Sequence, residues 1–477
     1  MDYSAQDLGP LFAPRSIAIV GVPRKDYRFG GLSYLMRLEE CGFPGRLYPI
    51  NPKASEIRGR PCYPDLDSLP EVPDLAIVCI PAASVPRLLE DCGRIGVRYI
   101  HILSSGFGET GTDEGRRLEN EVSRLADRYG LLVVGPNCMG PYCPEAGLTA
   151  WGAIPGLPGP LGIISQSGGI TQRLTEYACS LGLGTARAVS FGNGTVLSAP
   201  DYLQYMASEE RVNAVAMYLE GVADARRFLA EAREACLQKP VILWKGGESE
   251  AGSRTAASHT GSLAGNKSTW KAFTRQTGII RVRTLDEWLD AALAFCFLPR
   301  GMGRRVFLVG GGGGNSVAHA DTCIREGLQM AALSEQTLGW LEENVPVVGS
   351  IPGNPLDAWR TFLDAEYLQG LLEAAFADPA VDLVMVDRLI PRKAYHMPHM
   401  PDPTPALIRF LSDRSASKPV IFTVDSEGGD PELAAAGAEL RALFGRAGIA
   451  VYPSVERAAR ALARRDRYYR WRAGVGG

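Results

Sequence analysis

The feature that most constrains the fold of this chain is a rhythm of short, wholly apolar runs set between longer stretches with helical spacing. Ser16–Gly21 (SIAIVG), Leu47–Asn51 (LYPIN), Leu75–Pro81 (LAIVCIP), Tyr99–Leu103 and Leu131–Val134 are runs of this kind. Between them, Gly31–Cys41 places Leu32, Leu35, Met36 and Leu38 at helical intervals, and Asp113–Tyr129 is a charged helical stretch. Continuous apolar strands alternating with amphipathic helices imply a parallel sheet covered on both faces. Right-handed crossovers then give a doubly wound α/β fold.

The rhythm restarts twice. After Ile154–Pro160 (IPGLPGP), which reads as a linker, come Leu161–Ile164, a helix from about Ile170 to Leu181, Ala186–Ser190, Ala214–Leu219, a helix Ala223–Leu237, Val241–Trp244 and a helix near Leu285–Phe297. After a second linker, Leu298–Arg305 (LPRGMGRR), come Val306–Val309, a five-glycine loop, Leu383–Val386 and Val420–Val424. We therefore expect three doubly wound α/β domains, at 1–145, 155–298 and 304–465.

Composition narrows the function classes. Hydrophobic residues make up 46% of the 477 and charged residues 22%, which fits a globular enzyme and rules out wholesale disorder. A net charge of −3 argues against a nucleic-acid binder held by a global positive field. The uncharged stretch Ala146–Gln172 is too rich in Gly and Pro for a spanning helix, so no membrane partner is expected. The N-terminus lacks a basic segment before an apolar one, so no secretory signal is expected. Ten cysteines are scattered without CxxC, which reads as a cytoplasmic chain with reduced thiols. Five histidines without HxxxH or HxH spacing give no dedicated metal site.

Candidate ligand residues cluster at strand ends. Gly21-Val22-Pro23-Arg24 closes one strand before a helix, where free N–H groups and the helix dipole favour phosphate. The turn is not GxGxxG, and the next strand ends in Asn51-Pro52-Lys53 rather than in an acid for a ribose hydroxyl. A lysine there suits an extra phosphate on a nucleotide, such as the 3′-phosphate of coenzyme A; a plain surface turn reads the same way taken alone. Ile80-Pro81 and Ser104-Ser105-Gly106 end the next two strands. All four features lie at carboxyl ends of parallel strands, where open α/β sheets bind ligands.

In the second block, Ser165-Gln166-Ser167-Gly168-Gly169 follows a strand and starts a helix, which suits either an anion nest or an ordinary serine N-cap. Ala257–Gly265 (ASHTGSLAG) surrounds His259 with small residues, Ser258, Thr260 and Gly261 among them, so a ligand can approach the ring closely. Histidine is a good nucleophile when another group orients it, although a loop histidine can equally be held for structure. Glu220, closing an apolar strand, can reach the crevice and hold an imidazole N–H; a solvent-facing strand end is the alternative.

Together with YPINPK, SSGFGETG, GPNCMG (Gly135–Gly140, with Asn137 and Cys138), SFGNG, MYLEG and NPLD, these segments resemble the α-subunit portion of the NDP-forming acyl-CoA synthetases, the superfamily of succinyl-CoA synthetase and ADP-forming acetyl-CoA synthetase. The resemblance runs in order through nearly the whole chain. It implies a Rossmann-like CoA-binding domain followed by two flavodoxin-like domains, the last a ligase domain. It implies coenzyme A at Gly21–Arg24, Asn51–Lys53, Ile80-Pro81, Ser104–Gly106 and Asn137-Cys138. His259 would carry the phosphoryl group, Glu220 would orient it, and Ser165–Gly169 with Ser258, Thr260 and Gly261 would hold phosphate. ADP or ATP, with Mg, would sit on a separate ATP-grasp β subunit, since no ATP-grasp pattern follows His259 and only Lys393 and Lys418 fall in the last third. A small carboxylic acid or its acyl-CoA would be the substrate.

Two segments depart from the family. Gly194-Thr195-Val196-Leu197 stands where a lysine and acids are common, and Pro23-Arg24 where a small hydroxyl residue is common. Few lysines lie near the phosphate segments, so helix N-termini are expected to stabilise the transferring phosphoryl group. Two rival readings share the fold: a non-catalytic CoA-binding or regulatory protein, against which His259 and Glu220 argue, and an NADP-dependent dehydrogenase, against which the missing GxGxxG argues.

Overall fold

A computed structural model describes residues 7–24, 30–149, 156–254, 267–310, 312–346, 350–358, 361, 364–388, 402–413, 418–425 and 430–475. The chain forms two compact units, Met1–Cys179 with Gly184–Trp288, and Ser180–Leu183 with Leu289–Gly477.

The first unit holds two sheets. In one, the spatial order is Arg46–Ile50, Ser16–Val20, Leu75–Val78, Tyr99–Ile102 and Leu132–Val134, all parallel. Ser16–Val20 and Leu75–Val78 are buried at every position, as unbroken apolar runs require of a central strand. The helices Val85–Ile95 and Asp113–Tyr129 turn Leu89, Val122 and Leu125 toward the sheet. The longer one starts on a Thr112 cap bonded to the N–H of Gly115 and stops at left-handed Gly130.

The other sheet runs Ile280–Val282, Val241–Lys245, Ala214–Leu219, Pro158–Ser165, Thr185–Ser190 and Gly140–Tyr142. The first five are parallel; Gly140–Tyr142 adds an antiparallel edge against Thr185–Ser190. Two expectations change here. The presumed linker Ile154–Pro160 already contributes Pro158–Pro160 to the central strand. The tail of the presumed first domain, Gly140–Tyr142, belongs to the second sheet. Gly and Pro mark both segments, and nothing in that composition distinguishes a linker from a strand whose partners supply the register.

The second unit is built on one parallel sheet, in the order Gln329–Met330, Arg305–Gly310, Leu383–Asp387, Val420–Thr423 and Val451–Tyr452. The NPLD segment has a structural task in it. Asn354 accepts from the N–H of Leu308 (3.0 Å) and donates to the carbonyls of Val306 and Ala331 (2.8 and 2.9 Å), stitching two neighbouring strands. Buried Asp290 is held by the Arg457 guanidinium through two 2.8 Å bonds, the geometry that makes a buried carboxylate tolerable.

Candidate active site

The Gly21 turn has the geometry its residues allow. Gly21 sits at φ +92°, and a Cβ there would lie 2.5 Å from the carbonyl oxygen of Cys79, so glycine is required. The N–H groups of Gly21 and Val22 both donate to the carbonyl of Ile50 (3.0 and 3.2 Å). Asn51 returns the link by donating to the carbonyl of Val22 (2.7 Å) and accepts from the N–H of Lys53 (2.8 Å). Asn51 therefore joins the two strand-end turns, while Arg24, Pro52 and Lys53 stand exposed around them. Pro23 is half-buried and Val22 wholly buried, so Val22 can contribute backbone only. The next two strand ends are also tied together, Ser104 donating to the carbonyl of Ile80 (2.5 Å), with Pro81 and Ser105 exposed and Gly106 half-buried.

The carboxyl ends of both sheets meet in a cleft of about 230 Å³. Leu103 and Asn137–Met139 line it from the first sheet, and Gln166–Gly169, Gly192 and Asn193 from the second. Asn137 adopts φ +59°, and its carbonyl and that of Pro136 approach Gly192 so closely that a Cβ there would lie 2.3 Å from each oxygen. The N–H groups of Asn193 and Thr195 donate to the carbonyls of Pro136 and Gly135 (3.1 and 3.2 Å). Thus GPNCMG and SFGNG, far apart in sequence, form one wall.

That wall is braced by a clamp that the sequence does not reveal. The amide of Asn193 donates to both Glu109 (2.7 Å) and Glu119 (2.9 Å), and Thr195 donates to Glu119 (3.0 Å). Glu109 also accepts from the N–H of Gly106 (2.6 Å), and Glu119 from that of Gly108 (2.6 Å). Thr195, in the segment that departs from the family, is thereby a working member of the clamp.

The Ser165–Gly169 turn divides its tasks. Ser165 is fully buried, and its hydroxyl is occupied within the turn, donating to the carbonyl of Ser167 (2.9 Å) and accepting from its N–H (3.1 Å). Ser165 does not line the cleft; it shapes the turn. Ser167, Gly168 and Gly169 do line it, at the N-terminus of the helix Gly168–Ser180. Gln166 lines it too, but its side-chain amide oxygen Oε1 accepts from the N–H groups of Glu220 (2.5 Å) and Gly221 (3.0 Å). Glu220 is 8% exposed, and Tyr218 donates to its carboxylate at 3.3 Å. Ser258, His259, Thr260 and Gly261 lie outside the described residues.

Lys245 and His101, near the cleft, had no sequence signal as buried groups, and Cys138, already a candidate, is buried with them. Lys245 is 4% exposed and donates to the carbonyl of Glu220 at 2.8 Å. Burial pushes its ammonium down to about 8, against the opposing pull of Glu248 and Glu220. Lys245 does not line the cleft. His101 is wholly buried beneath Gly140, donates from Nε2 to the carbonyl of Cys138 (3.1 Å), and is pushed down to about 4 by burial, so it is neutral. Cys138 lines the cleft, but burial pushes its thiol far above the ordinary range, and its sulfur sits 3.6 Å from the carbonyl of Ile102. A thiol held neutral is a poor nucleophile. Cys138→Ala should therefore keep most turnover in a steady-state assay, and complete loss would show that the sulfur takes part.

Among the described residues no cluster of His, Cys, Asp and Glu could hold a metal, and no helix is long and apolar enough to cross a membrane. None of the ten cysteines, all of them among the described residues, forms a disulfide.

Known proteins place this arrangement. Residues 15–144 match the family described as CoA binding domain, and residues 158–295 the family described as succinyl-CoA ligase like flavodoxin domain. The chain is 34% identical to acetate–CoA ligase [ADP-forming] I subunit alpha of Pyrococcus furiosus, over 98% of each chain. It is 29% identical to a trans-feruloyl-CoA synthase from an unknown prokaryotic organism, over 97% of this chain and 65% of that one. In structure it resembles the dinucleotide forming acetyl-coenzyme A synthetase 1 of Ca. Korarchaeum cryptofilum in complex with phosphate and ADP, with a TM-score of 0.86, 31% identity and 98% of each chain covered. With CoA-binding and ligase-type sheets in that order, and an α-subunit relative matched from end to end, the chain belongs to the ADP-forming acid–CoA ligases, on the α-subunit side of that family.

Proposed function

We propose that this chain is the CoA-binding and phosphoryl-carrying subunit of an ADP-forming acid–CoA ligase. The observation that carries the reading is the shared cleft. Asn137 and Cys138, candidate coenzyme A contacts, and the helix N-terminus at Ser167–Gly169, suited to phosphate, line one space, whose Gln166 bonds the backbone of buried Glu220. Phosphate oxygen attacks the thioester carbonyl of an acyl-CoA; the C–S bond breaks, leaving acyl phosphate and the CoA thiol. A nitrogen of His259 then takes the phosphoryl group as the P–O bond to the acyl group breaks and the carboxylate leaves. The phosphoryl group finally passes from nitrogen to a terminal oxygen of ADP, giving ATP; the reverse direction activates the acid. Backbone N–H groups at Gly168 and Gly169 face charge spread over the phosphoryl oxygens. Glu220 accepts from one imidazole nitrogen and leaves the other unprotonated for attack.

In this reading ADP and its Mg sit on an ATP-grasp β subunit, the chain works in the cytoplasm, and 1–145, 155–298 and 304–465 act as CoA-binding, phosphohistidine and ligase domains. The acyl group is a small carboxylic acid. Incubating the chain with acetyl-CoA and radioactive phosphate should give acid-labile, base-stable label on the protein. A non-catalytic CoA binder would take none.

Lys53 tests the coenzyme A seat. It is exposed beside the Gly21 turn, tied in by Asn51. Lys53→Glu replaces attraction to a phosphate with repulsion and should weaken CoA binding by about 10–100-fold, less at high salt. Unchanged affinity by calorimetry would remove Lys53 from the site.

A further inference from the structure

Glu220 is held from several directions by groups that belong to different strands. Its backbone N–H is taken by Gln166, at the end of the central strand, at 2.5 Å. Its carboxylate receives the hydroxyl of Tyr218 at 3.3 Å. Its carbonyl oxygen receives the ammonium of Lys245 at 2.8 Å. Lys245 ends the strand Val241–Lys245, in register with Leu219, and donates also to the carbonyl of Gly246. Its nitrogen lies 5.2 Å from the centre of the Trp270 ring. A lysine this buried is not a solvated surface charge; it ties together the ends of two adjacent strands.

We propose that Lys245 is a positioning residue for the phosphoryl chemistry, its ammonium gripping the backbone of Glu220 and so fixing where that carboxylate stands. The inference rests on the function proposed above. Lys245 acts through Glu220, and through the charge it sets beside it.

The geometry carries a pH signature. The charged groups acting on Lys245 are Glu248 beyond its own strand end and Glu220 from the adjoining strand; Tyr218 bonds Glu220, and Arg281 of Ile280–Val282 pairs with Glu248. Trp270 supplies the facing surface of the helix Lys267–Thr277. Tyr218 is pushed up to about 12 by burial and does not titrate with Lys245, which is pushed down to about 8. Below that point the lysine is a cation and its hydrogen bonds are charge-assisted, roughly twice as strong as neutral ones. Above it the amine is neutral and Glu220 loses its neighbouring positive charge. Phosphoryl uptake should therefore fall as pH rises through about 8.

The test is the rate of acid-labile labelling by radioactive phosphate and acetyl-CoA, measured from neutral pH well into the alkaline range. The wild type should show the alkaline fall. Lys245→Met should label about 10–100-fold more slowly, as for a displaced catalytic group, and lack that fall. Lys245→Arg keeps its charge and should carry the fall to higher pH. Calorimetric binding of coenzyme A, equal to the wild type, establishes that each variant is folded. Wild-type rate in Lys245→Met, or an unmoved alkaline fall in either folded variant, overturns the inference and leaves the proposed function standing. If Lys245→Met binds no coenzyme A, the Lys245→Arg profile decides. A wild type that takes no label at all removes the proposed function, and this inference with it.

Discussion

His259→Ala should take no acid-labile label from phosphate and acetyl-CoA, and with an ATP-grasp partner should make acyl-CoA from acid, coenzyme A and ATP at least about a thousandfold more slowly than the wild type. The loss should be this deep because the imidazole nitrogen is bonded to phosphorus in the middle of the reaction. Tyr218 is pushed up to about 12 and Cys138 is held as a neutral thiol, so neither supplies a competing nucleophile at neutral pH. Coenzyme A affinity should stay unchanged, since its candidate contacts come from the turns at Gly21, Asn51 and Ser104. Acyl-CoA made at the wild-type rate by the His259→Ala protein would overturn the mechanism.

Gly192→Ala should be nearly as damaging by a different route. Gly192 has φ +55°, and an added Cβ would stand 2.3 Å from the carbonyl oxygens of both Pro136 and Asn137. Both are rigid backbone atoms, so the wall must part. Left-handed strain and overpacking together should cost roughly 2–4 kcal/mol, seen as a lower denaturation midpoint. The displaced atoms line the cleft, and movements of about 1 Å in such a place reduce turnover by about a hundredfold. A Gly192→Ala protein with wild-type midpoint and turnover would show that the two segments do not need their close approach.

The parallel sheets were legible because burial on both faces leaves an unambiguous mark. Leu75–Val78 and Tyr99–Ile102 are apolar or shielded at every position, and the expected strands match those observed. The Gly140–Tyr142 strand left no mark, being short, proline-bearing and dependent on a partner, Thr185–Ser190, far along the chain. The site divides in the same way. Local turn chemistry pointed to Gly21, Asn51 and Ser167–Gly169. It could not separate Ser165, whose hydroxyl is used inside the turn, from Ser167, which lines the cleft. Nor could it find the clamp of Asn193 with Glu109 and Glu119, because pairing across that separation depends on the fold. Lys245 at a strand end reads as solvated until its neighbours are known. The His259 loop falls outside the described residues, so its place in the site rests on resemblance and chemistry.

The Gly140–Tyr142 edge bears on how this chain can be taken apart. A cut just after it, where the first alternating block ends, would leave the fragment carrying an unpaired strand and strip the second sheet of its border. Open strand edges invite pairing with other chains. An excised N-terminal piece should therefore be prone to aggregate, and a chimera that exchanges the nucleotide-type sheet between relatives should work better when the crossover falls upstream of Gly135. The heritable module is then shorter than the folded one, and the two ligand chemistries are inherited with a shared seam.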